Sequence, residues 1–295
     1  MSSKFLYIFI LLPVGLVLLL GGFTYFASQQ FHKEIPITNE RELKVTVDAG
    51  FGDVSIVRGN LHYAFDADIE TDRGGDLSEL VDYTVRGEVG YLQVNTSADM
   101  KSHSKKHSIN FEGFKSNQWD MRFPEGIPIS FEIGLGLGKG DFDLSGLNVR
   151  DLRLSAGASS VFLRFNKPNK SVIEDLTIES GLSKFNGEGL CNANFNHLKF
   201  EGGVGSYTLD FGGELKKEVD VDIEVGLGSL VVRVPEEIGV KVIYKKSLLA
   251  HIDLDRSFTE QGENSFFSPN YKSAQGKMNV RIEAGLGSVK VRRNW

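Results

Sequence analysis

Val221–Val234 reads VDIEVGLGSLVVRV: alternating apolar residues, a glycine-centred kink, then more alternating apolar residues. The same phrase returns as Leu152–Phe165 (LRLSAGASSVFLRF), Leu176–Leu190 (LTIESGLSKFNGEGL), Leu198–Phe211 (LKFEGGVGSYTLDF) and Val280–Arg292 (VRIEAGLGSVKVR). The central glycines are Gly157, Gly181, Gly203, Gly226 and Gly285, spaced by 24, 22 and 23 residues before a last interval of 59. A period in the twenties marks stacked units, each too small to bury its own apolar face. Aligning the copies predicts inward columns: Leu154, Ile178, Phe200, Ile223 and Ile282 before the corner, and Leu163, Leu209, Val232 and Val291 after it. The glycines are expected at the corner because a tight bend often needs positive φ. The small residues Ser159, Ser183, Gly205, Gly228 and Gly287 keep it thin, so that rungs stack at a strand spacing of about 4.8 Å.

Working outward, Leu43, Val45 and Val47 alternate into Gly50–Asp53, then Val54 and Ile56, an early divergent copy. Tyr63–Thr71 turns Phe65, Ala67 and Ile69 one way and Asp66, Asp68 and Glu70 the other. Val81–Val85 and Tyr91–Val94 read as a strand pair around Gly87–Gly90. Trp119, Met121 and Phe123 alternate until Pro124, and Ile127–Ile133 leads into Gly134–Gly140. The expected fold is therefore all-β, a stacked β-solenoid-like array. The expected sections are an anchor over 1–33, a β section over 34–98, a basic loop over 99–116 and the repeat domain over 117–295. Lys245–Lys277 breaks the last period and is expected to cap the open end of the array.

Phe5–Ala27 is almost wholly apolar, with no charge between Lys4 and Lys33. About 20 apolar residues span a bilayer core as a helix, and Thr24–Ser28 makes a poor cleavage site. One uncleaved N-terminal transmembrane helix is expected. Lys4 before the span and His32 and Lys33 after it nearly balance the positive-inside bias. A signal anchor this close to the N-terminus leaves the C-terminal body outside the cytoplasm, attached to the cell membrane by a single pass.

The balance of 33 basic and 39 acidic residues gives a net charge of −6, which argues against nucleic acid as a partner. Cys191 is the only cysteine, so no intramolecular disulfide exists, and it reads as a small buried residue at a turn.

The stretch from Asn117 through Phe165, the Gly-x-Gly-Ser rungs and the phrase Val234–Val240 (VPEEIGV) resemble the toast-rack family. That family includes the C-terminal domain of LiaF-type bacterial cell-envelope stress regulators and adhesin-like envelope proteins. The resemblance covers 117–295 best and 43–98 less distinctively. It implies an all-β stacked fold, an envelope location and no known catalysis, and it supplies no catalytic residues. One membrane span departs from the several usual in LiaF-type proteins.

No constellation of residues commits to chemistry. Gly134–Gly140 is followed by a strand pattern rather than a helix, and Gly140 stands where a phosphate loop needs Ser or Thr after Lys139. His103 and His107 lie in a basic loop without an acidic third ligand; that loop is suited to anionic headgroups or envelope polymers. Asp66, Asp68, Glu70, Asp72 and Asp76 lack the glycine of a calcium loop at Thr71. His251, Asp253 and Asp255 read as a solvated strand face. The expectation is a non-enzymatic protein with no catalytic, cofactor or metal residues. Its partner would be a membrane protein or an envelope component, bound in stress sensing or regulation. The alternative is a structural or adhesin-like protein that self-assembles into a homo-oligomer or serves as a stiff spacer.

Overall fold

The computed structural model describes residues 29–71, 77–95, 117–245 and 249–293. The apolar run Phe5–Ala27 and the basic loop with His103 and His107 lie outside the described residues, as do Asp72 and Asp76. Among the described residues no helix is long and apolar enough to cross a membrane.

Among the described residues sixteen strands form one sheet. In chain order they are β1 (Gln29–Pro36), β2 (Glu42–Arg58), β3 (Tyr63–Thr71), β4 (Val81–Arg86), β5 (Val89–Asn95), β6 (Gln118–Phe123), β7 (Pro128–Asp143) and β8 (Asn148–Arg164). There follow β9 (Ile173–Glu188), β10 (Phe195–Asp210), β11 (Glu218–Arg233), β12 (Gly239–Lys245), β13 (Leu249–Leu254), β14 (Thr259–Glu260), β15 (Ser265–Phe267) and β16 (Lys277–Arg292).

The long strands β2, β7 to β11 and β16 lie side by side and parallel. Each bends at its centre. In β11, Val221, Ile223 and Val225 are buried before the bend and Leu230 and Val232 after it, so the buried parity switches across the glycines. The bend folds the sheet into two walls whose inner faces share one core. The predicted columns are in register: Leu154, Ile178, Phe200, Ile223 and Ile282 are neighbours across the first wall. Across the second wall Leu163, Leu209, Val232 and Val291 are joined by Gly187, which fills the one gap in that column. All these apolar side chains are at most 2% exposed. Phe185, Phe200 and Tyr207 pack ring to ring at 5.3 Å between centroids.

The corner glycines differ from expectation in their reason. Gly226 and Gly285 do not have positive φ. They are small because the rungs touch there: a Cβ on Gly285 would stand 2.5 Å from the Gly226 carbonyl oxygen, and one on Gly226 would stand 2.8 Å from that of Gly203. Positive φ belongs two positions on, to Gly228 at 139° and Gly287 at 133°.

The third side of the array is closed by the connections, which also stack. Phe165 N–H donates to Glu188 O, and Asn169 N–H to Asn192 O at 2.7 Å. The buried Asn169 side chain ties its own connection to the start of β8 and to the next connection, accepting from Val149 N–H at 2.8 Å and donating to Val149 O and Ala193 O. Such polar groups need partners because an unmade hydrogen bond in the core costs about 1–3 kcal/mol.

At both ends a long strand gives way to two short ones. β5 pairs the first half of β2 and β6 pairs the second half; β12 and β13 do the same for β16. The segment expected as a cap therefore contains half of an extra rung. Its remainder is the cap: β15 and β14 continue the wall beyond β12, and Phe258 and Phe266 pack against the end of the core. At the other end β4 covers β5, and β3 and β1 cover β6. The sheet is continuous across the sections read as 34–98 and 117–295.

Candidate functional surface

The bend projects one residue per rung outward, between the two corner glycine columns. Leu137, Leu182, Val204, Leu227, Leu286 and Leu249 hold this place on β7, β9, β10, β11, β16 and β13, with Phe51 on β2 and Ala158 on β8 in the same row. The six named first are 44–69% exposed. Eight rungs at the parallel-strand spacing make an apolar ridge about 34 Å long. Scattered exposed leucines need no explanation, but a contiguous apolar surface does.

The first-wall flank of this ridge is acidic. Glu179, Glu201, Glu224 and Glu283 lie directly beside one another on four adjacent strands. Like charges placed opposite each other are destabilising in a sheet. Lys199 meets Glu201, and Lys245 meets Glu283 at 2.8 Å, while Ser155 Oγ donates to Glu179 at 3.3 Å. On the second-wall flank the row on the same four strands is Lys184, Ser206, Ser229 and Ser288, with Ser206 and Ser229 joined at 3.1 Å.

Further out on the first wall lies a groove of about 650 Å³, rimmed by Asn264 of the turn before β15. Its floor carries a charge network built from four strands. His197 on β10 stands between Asp175 on β9, at 3.1 Å, and Asp222 on β11, at 2.9 Å. Arg281 on β16 holds Asp222 from the other side. Burial works against charge on His197, but the hydrogen bonds its ring donates to Asp222 and Asp175 raise its pKa above the ordinary value. The Arg281 guanidinium, against a smaller opposing effect of burial, holds the Asp222 carboxyl below its ordinary value, with help from His197. Every charge here has a partner, so the network fixes strand register rather than presenting a reactive group.

A second cluster joins β1, β3 and β6. Ligand-type atoms of His32, Glu34 and Asp66 lie within 4.8 Å of one another. The Arg122 guanidinium takes both oxygens of Asp66 at 2.8 Å and one of Asp68 at 2.7 Å. A fixed cation already neutralises Asp66, one of the two carboxylates a metal would need there. The sequence reading saw the acidic face of β3 but not its Arg122 or His32 partners, which come from strands 36 to 56 residues away.

The other singled-out residues are spread across the fold. Gly134–Gly140 forms the corner of β7, with Lys139 Nζ 3.7 Å from Asp53. Asp253 on β13 is held by Arg292, and Asp255 accepts from Ser257 N–H at 3.0 Å. Cys191 lies buried in a short 3-10 turn over Leu190–Ala193, where burial pushes its thiol pKa well up.

No curated protein matches the chain. Among solved structures it is similar to a candidate cell adhesion protein from Clostridium sporogenes ATCC 15579, at 20% identity over 91% of this chain and 100% of that one, with a TM-score of 0.44. A candidate adhesin from Bacteroides fragilis NCTC 9343 is 13% identical over 89% of this chain and 97% of that one, with a TM-score of 0.34. A candidate lipid-binding protein from Parabacteroides distasonis ATCC 8503 is 8% identical over 91% and 97%, with a TM-score of 0.29. Residues 26–186 and 167–233 match the family model described as the N-terminal domain of toast_rack, DUF2154. The match thus includes the first β section, reaches most of the stacked rungs and extends over more than half of the sequence: the chain belongs to the toast-rack family.

Proposed function

We propose that this toast-rack protein is a membrane-anchored, non-enzymatic binding module of the cell envelope, with its β body outside the cytoplasm. The apolar run Phe5–Ala27 supplies the anchor and the stacked body supplies a rigid platform. One observation carries the binding role: the in-register apolar ridge from Phe51 to Leu249. A smooth apolar strip this long is costly to leave against water, at about 25 cal/mol per Å².

The glutamate row beside the ridge selects the occupant. Anionic lipid or an anionic envelope polymer would meet four stacked carboxylates. A protein segment with an apolar stripe flanked by Lys or Arg meets complementary charge instead. The partner is therefore a membrane protein with a basic amphipathic segment, and a sensor kinase of that description would place the module in envelope-stress regulation.

The test is site-specific photocrosslinking in intact cells from position 182, followed by mass spectrometry. One dominant crosslinked protein is expected, and Leu227→Asp should abolish the adduct without changing the amount of folded protein. Adducts only to lipid, or a protein adduct indifferent to Leu227→Asp, would overturn the reading.

A further inference from the structure

The ends of the array are not finished alike. β4 covers β5, β3 covers β6, and β15 covers β12, each antiparallel. Among the described residues β13 pairs only with β16. Open edges are usually blocked, because their backbone groups template further pairing. The consequence shows in burial. Val289 and Val291 on the neighbouring strand are at most 1% exposed, whereas Ile252 and Leu254 beside them on β13 are half-buried. One more strand would cover them.

The sequence of β13, LAHIDL, is self-complementary when run against itself. Antiparallel pairing centred on Ile252 sets Ile252 opposite Ile252 and Ala250 opposite Leu254 on the inner face. On the outer face it sets His251 opposite Asp253, twice, by symmetry. Directly opposed residues of an antiparallel pair share a face, so the apolar row and the charged row both match without a slip. A shift by one residue would put His251 against Ile252 and break both rows.

We propose that β13 is a homodimerisation edge, pairing antiparallel with β13 of a second copy in the register centred on Ile252. The contact is isologous, as a two-fold interface must be. It joins two arrays tail to tail into one longer sheet and leaves the two β1 strands, which follow the apolar N-terminal run, at the far ends. The inference is independent of what the ridge binds.

The test uses the full-length chain in membranes, carrying Ile252→Cys and mildly oxidised. Opposed residues of an antiparallel pair have Cα atoms about 4.5–5.5 Å apart, within disulfide range. The native Cys191 is buried and gives no background. A disulfide-linked dimer is expected for Ile252→Cys and none for Leu249→Cys, whose two copies would lie six residues apart along the strand. His251→Asp should cut the Ile252→Cys dimer about fivefold, by replacing two attractive cross-strand pairs with repulsive ones. Adding Asp253→His to it should restore the dimer. Should Ile252→Cys fail to accumulate, chains carrying Ala250→Cys and Leu254→Cys, expressed together, report on the same register. No dimer, equal crosslinking of Leu249→Cys, or a crosslink to a different polypeptide overturns the proposal.

Discussion

Gly228→Ala should be among the most damaging single-methyl additions in this molecule. Gly228 has φ 139°, a conformation that costs a non-glycine residue about 1–3 kcal/mol. Its new Cβ would stand 1.9 Å from the Gly205 carbonyl oxygen. Backbone cannot rotate out of the way as a side chain can, so β10 and β11 must part at the corner. Loosening two ladder hydrogen bonds adds about 2 kcal/mol. Alanine returns about 0.4–1 kcal/mol by restricting the unfolded chain. The net loss is about 2–4 kcal/mol. Gly262→Ala is the matched control: φ is also positive, at 86°, but nothing lies within 4 Å of its Cβ. The two variants should differ by about 2 kcal/mol, the part that comes from rung contact. Urea unfolding of the full chain in detergent, read as a shift in midpoint at constant slope, measures it. Equal losses for the two variants would refute the claim that close stacking, rather than backbone conformation, dictates this glycine.

Two further outcomes follow from the first wall. Glu224→Gln should stabilise the protein by about 0.5 kcal/mol at low salt, because Glu224 lies between Glu201 and Glu283, with the gain shrinking as salt screens the row; no salt dependence would contradict the like-charge account. His197 has a raised pKa, so its stabilisation is complete below the ordinary histidine value and lost as pH rises through the raised one. Asp222 has a lowered pKa, so its share is present above the ordinary carboxylate value and lost as pH falls through the lowered one. The network is therefore strongest between about pH 4 and 6.5. His197→Asn should cost about 0.5–1 kcal/mol at pH 5.5 and little at pH 9, the small size reflecting a partly exposed pair. An equal loss at both pH values would assign His197 a packing role instead.

The repeat itself was legible because each rung repeats both its inward columns and its corner. Aligning Gly157, Gly181, Gly203, Gly226 and Gly285 gives the observed strand register directly. The order of rungs was not legible at either end. The 59-residue interval before Gly285 holds β12 and β13, which are one rung broken at its corner and lying beyond β16. Nothing in a linear sequence says that a later strand sits inside an earlier one. The same is true of β2, which lies between the β5–β6 pair and β7 although it precedes them all. The purpose of the central glycines was misread for a related reason: Gly226 looks like a turn residue along the chain, and its real constraint is the carbonyl of the next rung. The ridge could have been found from the residue after each central glycine, since Leu182, Val204, Leu227 and Leu286 are apolar between two small residues. The His197 network needed register across β9, β10, β11 and β16 before its members came together.

The interleaving of β2 and β16 bears on how such an array comes apart. A plain stack of rungs peels from its free ends, one unit after another. Here the first and last of the long strands are each gripped on both edges, and the outermost rungs belong to chain segments that do not end there. Withdrawing the C-terminal strand means opening two ladders at once, from Lys277 to Arg292 on one side and against β12 and β13 on the other. Ribosomal synthesis meets the same arrangement in reverse, because the slot between β11 and the outer rung stays empty until β16, which follows both in the chain, has emerged. Tension drawn on the chain at the C-terminal end of β16 would therefore load the interior of the sheet in shear, so that the array resists unravelling from that strand, whereas β1, at the edge, can peel from β3 alone.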